Sequence, residues 1–424
     1  MIGMKSILKG VVVVSATSAL FGCGGGEQQQ AADGALPRQQ TLYLSGQQWG
    51  APATFNPLAE SWMAAWPVGG RFNLMYEPLV TYNTLNGKIE PLLGTLVEEL
   101  SNNDSVVVDL NPAAKWSDGV RVSSADVKFI FSKGSINTTE QISDIHVDTL
   151  KAEPAAQDAP ITERISFIVA KDKRNNPLSV RDLLQAIRIA PAHVFEKLLA
   201  ENNNNLDEVK KLMIDKNPVV SGPYNLKDYS ANKIILERRD DYWGNAALHN
   251  GQLPAPKYVV HPIYKSNDAN TIALSDGSLD ASMSFVTRIW EKKGNGVHTW
   301  FDDAPYFAPG AMPMMMINTM KEPLNDKRFR RALATAIDYN SIRQFAVSNY
   351  TTPLQPGLIM PTNLEGKYIN AEDQKIGANL SINDEAERLN TVKAMLTEAG
   401  YKSVFNNDGS LDHMENAKGE KIPT

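Results

Sequence analysis

The residue types that most often carry catalysis or hold metal ions are scattered along this chain of 424 residues. None of its histidines has the spacing of an H-E-x-x-H zinc site, and the sequence contains neither a G-x-S-x-G nucleophile turn nor a phosphate-binding P-loop. Acidic residues are numerous, but their spacing selects no acid–base pair. We therefore expect a protein that is not an enzyme and that needs no metal ion or cofactor. The histidines are His146, His193, His249, His261, His298 and His413.

One segment near the C-terminus carries a weak signal for calcium. Asn406, Asp408, Gly409, Asp412 and Glu415 match several positions of a calcium-binding loop. The first ligand position would fall on a valine, which cannot coordinate a cation. The letters "NNDGS" are also typical of an ordinary turn, and we favour the turn.

Tryptophans offer a different chemistry. Trp49, Trp62 and Trp66 lie in one stretch rich in proline, glycine and asparagine, which predicts a loop. A loop tryptophan presents a large apolar face and one N–H donor, so it can stack on a sugar ring or another flat ligand. Packing of one lobe against the other explains these residues equally well. For a second aromatic group we favour packing: Trp290, Trp300 and Tyr306.

The N-terminus has the order of a secretory signal. Two lysines precede an apolar run at residues 10–21, which is too short to span a bilayer. The following Leu20-Phe21-Gly22-Cys23 resembles the cleavage box of bacterial lipoproteins, in which the cysteine is lipidated. We expect residues 1–22 to be a signal peptide and residues 23–40 a flexible tether. A plain signal with an incidental cysteine is the alternative.

Composition excludes several classes of protein. Hydrophobic residues make up 42% and charged residues 21%, which is typical of a globular protein, and the net charge is -6. Without a basic block we expect no nucleic-acid partner. The single cysteine excludes internal disulfides. The length allows two or three domains or two large lobes.

Local patterns predict mixed α/β structure. "TLYLSG" and "DSVVVDLN" are strand candidates, and Asn86-Gly87 predicts a hairpin turn. Ser123 and Asp126 form a capping box for a helix. Asn325 or Asp326 is expected to cap another.

Two predictions concern the end of the chain. In the helix "EAERLNTVKAMLTEAGYK" the inward residues are expected to be Ala386, Leu389, Val392, Leu396 and Ala399. The last segment, "GSLDHMENAKGEKIPT", is expected to be a turn followed by a strand that finds no partner, as in a truncated chain.

Four stretches, taken in order, resemble the extracellular solute-binding proteins of family 5. They are "MYEPLVTYN" with "IEPLLGTLVEEL", "AKWSDGVRVSSADVKFIF", "VSGPYNLKDYSANKIILERRDDYWG" and "EPLNDKRFRRALATAIDYNSI". Caps and turns explain the residues that carry the resemblance, so we expect them to hold the fold rather than touch a ligand. These signature residues are Trp116, Asp118, Gly119, Asp126, Gly222, Pro223, Tyr224, Trp243, Asp326, Arg330 and Asp338.

The resemblance implies a periplasmic-binding-protein type II-like fold with two mixed α/β lobes joined by a hinge. It divides the chain into lobe I at 41–75 and 196–287, an extra domain of lobe I at 76–195, and an incomplete lobe II at 288–424.

The resemblance also implies a function. It is that of a monomeric receptor, lipid-anchored at Cys23 on the periplasmic or cell-surface side of a membrane, which passes oligopeptides or oligosaccharides to an ABC permease. A tryptophan-rich early loop with "FNPL", and "DASMSFVTRIW", look like the branch that binds cellobiose- or chitin-type oligosaccharides. A secreted hydrolase, or a sensory or adhesion protein with the same fold, stays open as an alternative. The candidate ligand-binding residues are Trp49, Asn56, Trp62, Trp66, Phe285 and Trp290.

Overall fold

The protein is described here from a computed structural model. The described residues are 36–70, 72–83, 86–134, 138–150, 162–173, 178–284, 296–298, 315–346, 367–372, 375 and 381–422. Cys23, Phe285 and Trp290 lie outside them.

The described strands form four sheets, which are a five-stranded sheet, a four-stranded sheet and two hairpins. The strands are β1 Thr41–Ser45, β2 Val80–Asn83, β3 Lys88–Pro91, β4 Gly94–Leu96, β5 Ser105–Leu110, β6 Ile142–Leu150, β7 Thr162–Val169, β8 Tyr224–Ser230, β9 Lys233–Arg238, β10 Tyr258–Pro262, β11 Ala281–Ser282, β12 Lys402–Phe405 and β13 Leu411–Glu415.

Helices lie between these strands and after them. They are α1 Ser124–Phe129, α2 Thr138–Gln141, α3 Leu178–Ala186, α4 Ala192–Glu201, α5 Leu206–Lys211, α6 Trp243–Ala247, α7 Asn267–Ser275, α8 Lys327–Ala336, α9 Tyr339–Ser341 and α10 Glu385–Glu398. Short 3-10 turns occur at Arg38–Gln40, Glu98–Leu100 and Lys171–Lys173, and π-helical turns at Ile130–Gly134 and Ile342–Ala346.

The five-stranded sheet has the order β11-β1-β10-β9-β8. Strand β1 runs parallel to both β10 and β11, whereas β9 runs antiparallel to its two neighbours, β10 and β8. Because three neighbouring strands are parallel, their carboxyl ends meet at one edge of the sheet. This is the edge at which ligands bind in open α/β sheets.

The four-stranded antiparallel sheet has the order β4-β5-β7-β6 and packs against helix α1. The predicted capping box is confirmed. The Ser123 side chain accepts from the first turn of α1, and the Asp126 carboxylate accepts from the main-chain N–H of Ser123. The Asn86-Gly87 hairpin is also confirmed, because β2 and β3 pair antiparallel and Gly87 has a φ of 72°.

A single buried hydrophobic cluster runs through both of these sheets and the helices beside them. It extends in sequence from Phe55 to Val259 and includes Trp66 and Trp116, which are each only 1% exposed. Burial of this apolar surface is the main force that holds the two sheets together. A small separate cluster joins α8, α10 and the last hairpin through Ala399, Tyr401 and Ile422.

Two predictions for the C-terminal part are corrected. Strand β13 has a partner, because it pairs antiparallel with β12 across the "NNDGS" turn, where Gly409 has a φ of 82°. On α10, Ala399 is buried as predicted, but Ala386 and Leu389 are exposed. The buried position belongs to Arg388 instead, because its guanidinium pairs with Asp338 and donates to a main-chain carbonyl.

Candidate ligand-binding site

The best candidate for a binding site is the edge formed by the carboxyl ends of β1, β10 and β11. The chain that leaves β1 forms an irregular loop over residues 46–69, here called the tryptophan loop. A hydrogen-bond chain fixes its starting point, since the Ser282 hydroxyl donates to Asn270 and the Asn270 amide donates to Ser45. The three residues tie β11, α7 and β1 together at this edge.

The middle of the tryptophan loop is attached to α5 and the residues just after it. The Thr54 hydroxyl donates to the Leu212 carbonyl at 2.6 Å, and the Phe55 N–H donates to the Met213 carbonyl at 2.9 Å. The Asn56 side chain donates to the Val209 carbonyl at 2.6 Å. An ion pair between Glu60 and the buried Lys210, at 3.0 Å, adds a fourth contact. These contacts give the loop a fixed main-chain path without regular secondary structure.

This fixed loop presents two tryptophans to solvent. Trp49 is 50% exposed and Trp62 is 82% exposed. Met283, which follows β11 at the same edge, is 54% exposed, and its N–H donates to the Ser45 carbonyl at 2.9 Å. An exposed indole offers a flat ligand a large apolar face and one N–H donor.

The other two described candidates are interior residues. Asn56 is 0% exposed, and its side chain is engaged in the fold because Oδ1 accepts from the Leu58 N–H while the amide reaches Val209. Trp66 is 1% exposed and packs with its ring centroid 4.9 Å from that of His261. Neither side chain is accessible to a ligand in this conformation. Both make contacts that hold the tryptophan loop against the rest of the fold.

His261 was not singled out by its sequence context. It lies on β10, is completely buried, and accepts the Gln47 N–H at Nε2 over 3.1 Å. Burial lowers the pKa of His261 to about 4. Only the fold brings it to the loop, because it stands 214 residues after Gln47 in the chain.

The signature residues near α1 make hydrogen bonds within the fold, and their assignment as structural residues stays a prediction. Asp126 is buried, and its carboxylate accepts from Ser123, from the Trp116 indole at 3.3 Å and from the Ala192 N–H at 2.7 Å. Asp126 therefore caps α1 and also the first turn of α4, whose own cap position is a proline without a side-chain acceptor. Burial raises the pKa of Asp126.

The turn before α1 is held in a similar way. Asp118 accepts from the Val120 N–H at 3.1 Å and contacts His193 at 2.7 Å. Gly119 has a φ of 87°, which a side chain would strain.

A second signature group lies at a buried crossing, where the chain segment at Gly222 passes the segment at Leu74. Gly222 lies so close to the Leu74 carbonyl that a Cβ would be 2.5 Å from its oxygen, and Pro223 accepts the Arg239 N–H at 2.8 Å. The Tyr224 hydroxyl donates to Pro256, and the Trp243 indole donates to Ser221. All four contacts join neighbouring parts of the fold.

This crossing buries a carboxyl group. Glu77 is 1% exposed, accepts the Tyr242 hydroxyl at Oε1, and has no hydrogen-bond partner at Oε2 among the described residues. Burial raises the pKa of Glu77 to about 8, although the Tyr242 hydrogen bond and the charge of Arg239 oppose the shift.

The third signature group orders the C-terminal part. Asp326 caps α8 by accepting the Arg328 N–H at 2.8 Å. Arg330 donates to the carbonyl of Leu324 at 2.8 Å. Asp338 caps α9, and its carboxylate also lies 3.2 Å from the Arg388 guanidinium.

The described part of the chain has neither a metal-binding cluster nor a membrane-spanning helix. No group of three or more histidine, cysteine, aspartate and glutamate side chains is arranged to hold a metal ion within that part of the chain. In the "NNDGS" turn the Asp408 carboxylate accepts from Ser410. Among the described helices, none has the length and apolar character needed to cross a membrane.

Comparison with known proteins places the chain in a family. A profile of the bacterial extracellular solute-binding proteins, family 5 Middle, matches residues 57–417, so the chain belongs to this family. The chain is 28% identical over 321 residues to the uncharacterized protein y4wM of Sinorhizobium fredii, covering 73% of this chain and 45% of the relative. It is 25% identical over 322 residues to the probable peptide-binding protein YejA of Agrobacterium fabrum, covering 73% and 49%. The chain thus spans about half the length of these curated relatives.

A solved structure confirms the predicted fold class. The mannohexaose-bound periplasmic oligopeptide-binding protein of an oligopeptide ABC transporter from Thermotoga maritima superposes with a TM-score of 0.74 at 28% identity. The match covers 92% of this chain and 66% of that one. The periplasmic-binding-protein type II-like architecture of mixed α/β lobes is therefore established for this chain.

Proposed function

We propose that this protein captures an oligosaccharide or oligopeptide and delivers it to the membrane permease of an ABC importer. One observation carries the proposal, which is the exposure of Trp49 and Trp62 on an anchored loop at the carboxyl edge of the parallel strands. Family membership supports it, as do the names of a peptide-binding relative and a mannohexaose-bound structure.

Oligosaccharide is the preferred ligand in this proposal. A sugar ring has an apolar face that suits a flat indole, and both large apolar side chains that are exposed on the loop are indoles. Peptides are the second candidate, because the YejA relative is named a probable peptide-binding protein.

The proposed function also specifies where the protein is located and how its ligand reaches the permease. The protein is lipid-anchored at Cys23 on the periplasmic or cell-surface side of a membrane and works as a monomer. Lobe I consists of 41–75 and 196–287, its extra domain of 76–195, and lobe II continues from 288. Closure of the lobes on a ligand changes the surface that the permease contacts.

Isothermal titration calorimetry tests the proposal directly. We expect saturable binding of mannohexaose or a β-linked hexasaccharide, with peptides of about five residues as the second panel. Truncating a tryptophan at the centre of an interface costs about 2 kcal/mol, so Trp62→Ala and Trp49→Ala should each weaken binding by roughly 30-fold.

The matched control is Phe405→Ala, which removes an aromatic side chain that is 58% exposed on β12. It should leave the affinity unchanged. Absence of binding to both panels, or turnover of a bound sugar or peptide, would contradict the proposal and favour a sensory protein or a hydrolase, respectively.

A further inference from the structure

The start of the tryptophan loop is attached to a buried stacked pair. The Gln47 N–H donates to His261 Nε2 at 3.1 Å, and the Trp66 N–H donates to the Gln48 side-chain oxygen at 3.0 Å. The rings of His261 and Trp66 lie 4.9 Å apart. The two residues before Trp49 are therefore both held by this pair of interior residues, Gln47 by the His261 ring and Gln48 by the Trp66 main chain.

The main chain at this point has little freedom. Gly46 has a φ of 96°, and a Cβ there would lie 2.3 Å from the main-chain nitrogen of Ser284. Because the main chain is so closely packed at Gly46, the contacts that follow it set the path of the tryptophan loop. The next contact along the chain is the Gln47–His261 hydrogen bond.

We propose that His261 is the positioning residue of the ligand site, because its neutral imidazole fixes the main chain that presents Trp49. The proposal rests on the function proposed above, in which Trp49 contacts the ligand. His261 itself is fully buried and acts through Gln47.

The hydrogen bond requires one protonation state. The Gln47 N–H is a donor, so Nε2 must be the unprotonated nitrogen and Nδ1 carries the proton. An imidazolium has N–H groups at both nitrogens and cannot accept. The Gln47 contact is therefore lost when His261 gains a proton.

The surroundings of the ring keep it neutral. Burial is the largest cause of its lowered pKa of about 4. Strand β9 presents Ile234 opposite it, and the loop presents Trp66 and the main chain of Gln47. No charged side chain of the described residues contributes to the shift.

Three variants separate this role from general destabilisation. His261→Gln keeps a side-chain acceptor, His261→Leu removes it at similar volume, and Ile234→Val trims the register partner of His261 without touching Gln47. One hydrogen bond is worth about tenfold in affinity. We expect His261→Leu to weaken ligand binding by about tenfold at neutral pH, and His261→Gln and Ile234→Val to stay within roughly twofold.

A second measurement needs no ligand. The protein is labelled with 5-fluorotryptophan, and the Trp49 fluorine resonance is assigned by its disappearance in Trp49→Phe. In the unmodified protein this resonance should shift with a midpoint near pH 4, and the transition should be absent in His261→Gln.

The two measurements distinguish the two proposals. If neither ligand class binds to the unmodified protein, the proposed function fails, and the fluorine titration still decides whether His261 controls the Trp49 environment. The positioning role is overturned if His261→Leu binds as tightly as the unmodified protein. It is also overturned if Ile234→Val weakens binding as much as His261→Leu, or if the titration persists in His261→Gln.

Discussion

Replacing Glu77 by glutamine should make the protein more stable at neutral and alkaline pH. The carboxyl group is buried at the crossing near Gly222, and only Oε1 has a hydrogen-bond partner among the described residues. A glutamine at this position keeps an oxygen for the Tyr242 hydroxyl and cannot ionise. The comparison therefore isolates the cost of a group that ionises in the unfolded chain but stays protonated in the folded one.

The magnitude follows from the pKa values. Burial raises the pKa of Glu77 from 4.5 to about 8 on folding. A raised folded-state pKa means that stability is fully present below pH 4.5 and is lost as the pH rises to about 8. Each unit is worth about 1.4 kcal/mol, so the loss is roughly 3 kcal/mol at pH 7 and roughly 5 kcal/mol above pH 8. Glu77→Gln removes this loss.

Urea unfolding at several pH values from about 5 to 9 measures the effect. All other titrating groups are common to both proteins and cancel in the difference. We expect the two proteins to be similar at pH 5 and the glutamine variant to gain about 1.4 kcal/mol per pH unit up to pH 8. A difference that does not change with pH, or a variant that is less stable at pH 8, would refute the reasoning.

Three further changes test other parts of the structure. Asp126→Ala should lower the free energy of unfolding by at least about 3 kcal/mol, because several buried donors lose their acceptor. Asp118→Ala, at the partly exposed turn, should cost only about 1 kcal/mol. Urea unfolding midpoints measure both costs, and equal costs would contradict the role of Asp126 as a cap of two helices. Gly222→Ala should cost about 2 kcal/mol because a carbonyl oxygen occupies the space of its Cβ, while Gly50→Ala, where nothing lies within 4 Å, should be neutral in the same assay. Cys23→Ser should release the protein from carbonate-washed membranes and leave ligand affinity unchanged, and a variant that stays with the membranes would rule out the lipid anchor.

Local features of the fold were predictable, because their causes lie within a few residues. The Ser123 and Asp126 capping box and the Asn86-Gly87 turn are both confirmed. The second role of Asp126 could not be predicted, since Ala192 lies 66 positions away. The exposed Leu389 is a related failure. Apolar periodicity favoured it for the interior, but its neighbour Arg388, which pairs with Asp338, takes the buried position on the face shared with Leu396 and Ala399.

The candidate site was predicted only in part. Sequence composition identified the tryptophan loop, but it could not tell which indole is buried. Trp66 packs against His261, which lies 195 positions later in the chain, whereas Trp62 is 82% exposed. Asn56 looked like a ligand contact, yet its amide is used by α5.

The way the N-terminal segment enters the five-stranded sheet has a mechanical consequence. Arg38 pairs with Asp280, whose carboxylate also accepts the Tyr43 N–H at 2.8 Å, so the chain is fastened to the amino ends of β1 and β11. The tryptophan loop leaves from the other end of β1, roughly 17 Å away for five residues in extended conformation. A pull from the N-terminal side is therefore taken up as shear along β1 and its parallel neighbours. Because all hydrogen bonds of those strand pairs share a shear load at once, tension on the N-terminus reaches Trp49 and Trp62 only after the sheet itself yields.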